Sequence, residues 1–314
     1  MTVIDWLLDS DPAIRWQVMN DLVHAPADAV QAERARVATA GWGARLLALQ
    51  GQDGQWDGGT FFPSGYDPAA EAGQPWTTTA HTLALLRELG LDPAGGQARH
   101  AVALVDANSR WDYNGEPFFE GEVEPCVNGM AVAIGAYFGV DVSGIVERLL
   151  GETLEDGGWN CWAEEGSVRS SFHSTIRVLD GLLEWERATG GTQETRAVRR
   201  RAEEYLLERR LFRRKSTGEV IDDAWLRFSF PTRWHYDVLR GLDYFRSVGG
   251  TPDERLAEAI EVVRSKRQLD GTWLLENTHS GRAHFSMEDG DGRPSRWNTL
   301  RAMRVLEWWD APRA

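Results

Sequence analysis

The chain has 314 residues, 42% hydrophobic and 26% charged, a globular mixture that argues against a disordered or fibrous protein and suits one large domain spanning 1–314. Its 48 acidic residues outnumber 34 basic ones, and the formal charge of −14 excludes nucleic acid or an anionic membrane surface as the main partner. No apolar run reaches the roughly 18 residues of a membrane span, no signal-like apolar segment follows Met1, and two cysteines cannot build a disulfide framework, so the expectation is a cytoplasmic protein.

Tryptophan is the unusual residue, 15 against 6 Tyr and 11 Phe. Taken in chain order, a first helix opens at Pro12 with the stripe Ile14, Val18 and Leu22, and a charged helix follows over 32–50. The turn Gln52-Asp53-Gly54-Gln55-Trp56 leads to a helix from Pro75 bearing Leu83 and Leu86. A degenerate copy, Asn108-Ser109-Arg110-Trp111, precedes a helix from Pro125. Glu155-Asp156-Gly157-Gly158-Trp159 precedes a helix from Arg169-Ser170-Ser171 with Leu179, Leu182 and Leu183, and a charged helix follows over 192–210. A turn without Trp, Ser216-Thr217-Gly218-Glu219, precedes a helix from Pro231 with Val238, Leu239 and Leu242. After a charged helix over 253–267, the turn Leu269-Asp270-Gly271-Thr272-Trp273 leads to a helix from Pro294 with Leu300, Met303 and Leu306.

The pattern repeats at roughly 50 residues, giving six inner apolar helices interleaved with charged outer ones. Six such hairpins bury their inner faces by stacking or by closing into a ring, and closure is the expectation: an all-α protein, an α/α toroid. Parallel inner helices bring six partial positive charges to one rim. Trp16, Trp76, Phe172, Trp234 and Trp297 fall in the first turns of these helices, where indole faces can hold an apolar or cationic group. Arg169, Arg233 and Arg296 stand beside them, with Arg15 a looser fourth, and Glu288, Asp289 and Asp291 are candidate partners for Arg296. His235 and Asn298, in the matched segments Arg-Trp-His and Arg-Trp-Asn, are expected on the same rim.

The Gln/Leu-x-Asp-Gly-x-Trp turns, each followed by an inner helix, resemble the repeat of the squalene cyclase and prenyltransferase β-subunit superfamily. The resemblance implies a helical barrel whose deep, aromatic-lined cavity holds an isoprenoid chain. The Asp-x-Asp-Asp acid of the cyclases has no counterpart here; Asp222-Asp223 and Asp289-Gly290-Asp291-Gly292 do not complete it. The zinc-binding Asp-x-Cys of the prenyltransferases is matched by Glu124-Pro125-Cys126, and their ligand histidine by His173 in Phe172-His173-Ser174, one repeat later. Carboxylate, thiolate and imidazole form a chemically sensible zinc set, the helix start is expected to favour the thiolate of Cys126, and Cys161 is a fourth ligand or a neighbouring resolving thiol. The basic residues that hold a diphosphate in those enzymes are replaced by the acidic stretch 118–124, and Val127 stands where an aromatic follows the family's cysteine, which excludes protein prenylation.

These residues support three readings. In the first, an enzyme (transferase, lyase/cyclase or hydrolase) uses zinc at Glu124, Cys126, His173 and Cys161 with His173, Glu288 and Asp289 as catalytic groups. Trp76, Phe172, Arg233, Trp234, His235, Arg296, Trp297 and Asn298 then hold a small hydrophobic or amphipathic molecule. The second is a non-catalytic toroid that binds a hydrophobic ligand or a protein. The third is a carbohydrate-active toroid working through Asp156, Asp222, Asp223, Glu288 or Asp289.

Overall fold

In the computed structural model, which describes residues 2–69 and 73–312, the three Trp turns share one geometry. Gly54, Gly157 and Gly271 take φ of 85°, 102° and 87°, a region that side chains resist. Gly51, Leu154 and Gln268 close the turns by donating their N–H to the carbonyls of Gln55, Gly158 and Thr272. Trp56, Trp159 and Trp273 are then fully buried. Each indole Nε1 donates to a carbonyl near the end of the preceding outer helix, Leu46, Leu149 or Val263, at 2.7, 2.8 and 2.7 Å. Each backbone N–H donates to a threonine hydroxyl in the first turn of the next inner helix, Thr79, Thr175 or Thr299, at 3.1, 3.1 and 2.9 Å. One residue thus ties two helices together.

The helices so joined are, in chain order, α1 (Val3–Leu8), α2 (Pro12–Asp21), α3 (Ala27–Ala35), α4 (Gly41–Leu47), α5 (Thr79–Leu89), α6 (Gly96–Asn108) and α7 (Pro125–Phe138). They continue as α8 (Ser143–Gly151), α9 (Phe172–Thr189), α10 (Gln193–Leu207), α11 (Val238–Val248), α12 (Ala257–Ser265) and α13 (Arg296–Asp310). Among the described residues the only strands are β1 (Trp273–Leu274) and β2 (Pro294–Ser295), an antiparallel pair, so the fold is all-α. The apolar inner helices are α2, α5, α7, α9, α11 and α13, and α5 packs on α7, α7 on α9, α9 on α11, α11 on α13 and α13 on α2. Between α2 and α5, Trp16 Nε1 donates to Leu89 O at 2.9 Å and Gln17 Nε2 to Glu88 O at 3.2 Å. Arg304 of α13 reaches Gln17 Oε1 at 3.0 Å and Asp21 Oδ2 at 3.3 Å on α2, and Asp243 Oδ2 at 2.6 Å on α11. The α7–α9 contact is backbone to backbone: a Cβ added at Gly181 would stand 2.4 Å from Gly129 O.

Several boundaries differ from the sequence reading. Pro12 and Pro125 do open helices, but α5, α11 and α13 start later than Pro75, Pro231 and Pro294, at Thr79, Val238 and Arg296. The intervening N–H groups are bonded elsewhere, that of Trp76 to Arg282 O at 2.7 Å and that of Tyr236 to His173 Nδ1 at 2.8 Å. Asp237 and Ser295 cap α11 and α13 instead, accepting from Arg240 N and Asn298 N. The expected 32–50 helix breaks at Gly41, whose φ is 69°, because the Asp11 carboxylate that caps α2 also accepts from Trp42 N at 2.8 Å. The indole of Trp111 donates within its own loop, to Phe118 O at 2.9 Å. After the turn without Trp, the Tyr236 hydroxyl replaces the indole and donates to Leu211 O at 2.8 Å.

Trp159→Phe keeps most of the buried ring but leaves the Leu149 carbonyl without its donor, a loss of about 2 kcal/mol. Trp162→Phe, at an indole 67% exposed, is expected to stay within about 0.5 kcal/mol of wild type. Urea unfolding of both variants checks this, and equal midpoints would remove the indole bond from the account.

Candidate functional site

Glu124, Cys126 and Cys161 come together because two loops are held from below by α7 and α9. Glu122 N donates to Asn128 Oδ1 at 2.7 Å, Asn128 Nδ2 donates back to Glu122 O at 2.6 Å, and Glu124 N donates to Glu122 Oε2 at 2.8 Å. This places Glu124 at the N-cap of α7 and Cys126 in its first turn. Two residues beyond the Trp159 indole, Cys161 N donates to Ser174 Oγ at 3.3 Å. One ligand atom from each of Glu124, Cys126 and Cys161 lies within 4.8 Å of the others, and this group could hold a metal ion. The Cys126 thiol donates to Glu124 Oε2 at 3.4 Å, and the two sulfurs, both free thiols, stand 2.8 Å apart. Its hydrogen bond with Cys161, burial and the Glu124 carboxylate push the Cys126 thiol well above the ordinary range. That corrects the expectation that the helix start would favour its thiolate: a sulfur and a carboxylate at contact distance outweigh the partial charge of the helix end.

His173 is outside this trio and lines the same cleft, of about 380 Å³, whose apolar walls include Phe61, Phe62, Val127, Met130, Trp162 and Trp234. Its Nδ1 accepts the N–H of Tyr236 at 2.8 Å, and burial followed by the Arg240 charge lowers its pKa to about 4. The ring is neutral at pH 7, so its proton is assigned to Nε2, which makes that nitrogen a donor rather than a metal ligand.

The other expected site residues divide between the rim and the core. Trp234, 37% exposed, donates from Nε1 to Gln74 Oε1 at 3.0 Å and stacks on His235 with centroids 3.7 Å apart. His235 in turn stacks on His279 at 3.7 Å. Burial and the neighbouring His279 ring lower His235 to about 3, and burial and Arg233 lower His279 to about 4. His279 escaped the sequence reading, since its loop carries no repeat; the signal available was a histidine shortly before the last inner helix. Trp76 is buried, donates to Ser280 O at 2.8 Å and lies under the Arg233 guanidinium at 5.2 Å.

Phe172 packs in the core among Tyr205, Trp225 and Tyr236, away from the cleft. Trp297 is buried flat against Phe230, and Asn298 donates to Phe228 O and Leu274 O at 3.2 and 3.1 Å. Arg296 binds the carbonyls of Trp6 and Asp9 rather than the acids expected for it, and Arg15 pairs with Glu33 at 2.7 Å. These residues brace α13 and α2. Glu288 accepts from Ser295 Oγ at 2.6 Å and Trp297 N at 3.3 Å at the start of α13, while Asp289 is exposed. Glu288 lines a pocket with Trp76, Arg233 and His279, separate from the cleft of His173, so the three expected catalytic groups are not gathered. Asp156 is bonded to Ser170 and Asp222 to Ala224 N, both within loops.

A further cavity of about 270 Å³ is lined from all six inner helices, among others by Gln17, Leu85, Tyr137, Asp180, Asp243 and Arg304. It is ionic rather than aromatic, the reverse of the expected lining. Arg87 pairs with Glu184 at 2.6 Å and Arg240 with Asp180 at 2.8 Å across it. Compared with known protein families and with curated proteins, the chain matches none. No helix among the described residues is long and apolar enough to cross a membrane.

Burial raises the Glu288 carboxyl from 4.5 to about 7. The folded state therefore holds this proton more tightly than the unfolded chain, and stability falls as pH rises from about 4.5 to 7. Glu288→Gln keeps an oxygen acceptor for Ser295 and Trp297 and is expected to flatten that fall. Urea midpoints at acidic and neutral pH test it, and an unchanged slope would contradict the assignment.

Proposed function

We propose that the protein is an α/α toroid of the squalene cyclase and prenyltransferase β-subunit type, and a zinc-dependent enzyme acting on a partly apolar small molecule at its mouth. Ring closure is supported by the unbroken series of inner-helix contacts, α13 on α2 included, around one shared cavity. The functional reading rests on one observation, the convergence of Glu124, Cys126 and Cys161 beside an apolar cleft.

Two thiolates and a carboxylate are a donor set that zinc accepts, with a fourth position left for water or substrate. Thiolates sharing one zinc stand roughly 3.8 Å apart, so the sulfurs, now 2.8 Å apart, must open by about 1 Å. Ligation replaces the thiol protons and so reverses the upward push on Cys126. The bound metal supplies a Lewis acid or a metal-activated nucleophile. His173 contributes its Nε2–H as a hydrogen-bond donor from the wall of the same cleft, and Trp234 and Phe62 cover apolar substrate. Thiols this close stay reduced in a cytoplasmic setting, which is the compartment proposed.

Protein purified without a histidine tag under reducing conditions is expected to carry about one zinc per chain. Elemental analysis should show the metal lost in Cys126→Ser and Cys161→Ser and retained in His173→Gln. A folded wild-type protein that is metal-free and cannot be loaded with zinc would end this reading.

A further inference from the structure

Eight arginines and four carboxylates line the axial cavity, in a chain whose overall charge is −14. Six of the arginines are engaged. Arg87 pairs with Glu184, Arg240 with Asp180, and Arg246 and Arg304 with Asp243. Arg301 donates to Ser229 O at 3.2 Å, and Arg187 donates to Ser247 O.

Arg177 and Arg233 are different. The Arg177 Nε is buried without a hydrogen-bond partner, and its Nη2 meets only the Met130 sulfur, at 3.1 Å. The Arg233 guanidinium rests on the Trp76 ring at 5.2 Å. Among the described residues no carboxylate lies within ion-pair distance of either, although Glu88 acts on Arg233 from further off, and Asp180, already paired with Arg240, acts on Arg177. Both side chains line the axial cavity, as does His81, whose burial, followed by the charges of Arg233 and Arg177, holds it well below the ordinary histidine range. Arg233 holds a φ of 57°, a costly conformation for a residue with a side chain, which aims it from a loop rather than from a helix. Arg177 is fixed by the close α7–α9 crossing, and it lines both the axial cavity and the cleft of the cysteines.

A partly buried cation without a counter-ion costs stability, and a folded protein keeps two of them on one cavity where a ligand supplies the missing charge. We propose that Arg177 and Arg233 bind a small oxyanionic group, a phosphate or a carboxylate, in the axial cavity. Guanidinium forks match both groups, and a volume of about 270 Å³ admits a small metabolite while excluding a polymer. The Arg-carboxylate pairs around it hold the two arginines in place and leave a surplus of positive charge for the ligand. This site is independent of zinc and stands or falls separately from it.

The test is calorimetric titration of the full chain at low ionic strength, with inorganic phosphate in one arm and succinate in the other, which separates the two sources of the anion. At least one should bind saturably, and Arg177→Met and Arg233→Met should each weaken it roughly tenfold or more. Arg200→Met, an exposed position outside the cavity, should leave the affinity unchanged. Ligand-free Arg177→Met is expected to melt no lower than wild type, because an unpaired charge gives way to an apolar chain. Should that variant fail to fold, Arg177→Lys carries the same test, keeping the charge but losing the fork. Failure of both anions to bind wild type, or equal binding by wild type and the arginine variants, would overturn the proposal.

Discussion

An indole N–H given to the end of one helix and a peptide N–H given to the start of the next is the constraint on which this structure depends. Trp56, Trp159 and Trp273 apply it three times with the same partners in register. Each bond is modest by itself, but each closes off buried polar groups that would otherwise lack a partner. The consequence is directional. A chain that leaves an outer helix at Leu149 must enter the following inner helix beside Thr175, and the loop between them, with Cys161, is delivered to the apolar cleft. The neighbouring loop, with Glu124, reaches the same place because Gly129 and Gly181 let α7 and α9 touch.

The molecule separates two environments along the inner helices. Near their N-terminal ends lies the apolar cleft with its thiols and neutral imidazoles. Toward the other end, Arg87, Arg187, Arg246 and Arg304 occupy later turns of their helices. There they oppose the partial negative charge of helix C-termini, which explains a basic interior in an acidic chain. Asp180, Glu184 and Asp243 hold the arginines at fixed positions, and Asp243 stays ionised to strongly acidic pH because Arg304, Arg246 and Arg301 together overcome its burial.

The repeat was legible because it is local: Asp-Gly supplies the left-handed turn, and the following Trp marks the joint. Proline was a weaker guide. Pro75 and Pro231 precede segments whose N–H groups are captured by distant acceptors, Arg282 O and His173 Nδ1, and no local pattern announces that. The same bond engages the ring of His173, which lines the cleft of the cysteines but is not grouped with them, while Cys161 is. Phe172 and Trp297 looked like rim aromatics by position, yet a helix start supplies both lining and core: Phe172 packs on Trp225, and Trp297, stacked on Phe230, lines the axial cavity rather than the cleft. Arg177 could not have been singled out, since the sequence offers it a partner one turn on in Asp180, and only the fold gives that carboxylate to Arg240 instead.

The most direct measurement of the central constraint is hydrogen exchange at the indole Nε1–H groups, followed by NMR on protein labelled at tryptophan. Trp56, Trp159 and Trp273 should exchange together and only through global unfolding, while the exposed Trp162 exchanges orders of magnitude faster. Rapid exchange at any of the three, under conditions where the helices remain folded, would show that the joint does not hold and that the arrangement built on it is wrong.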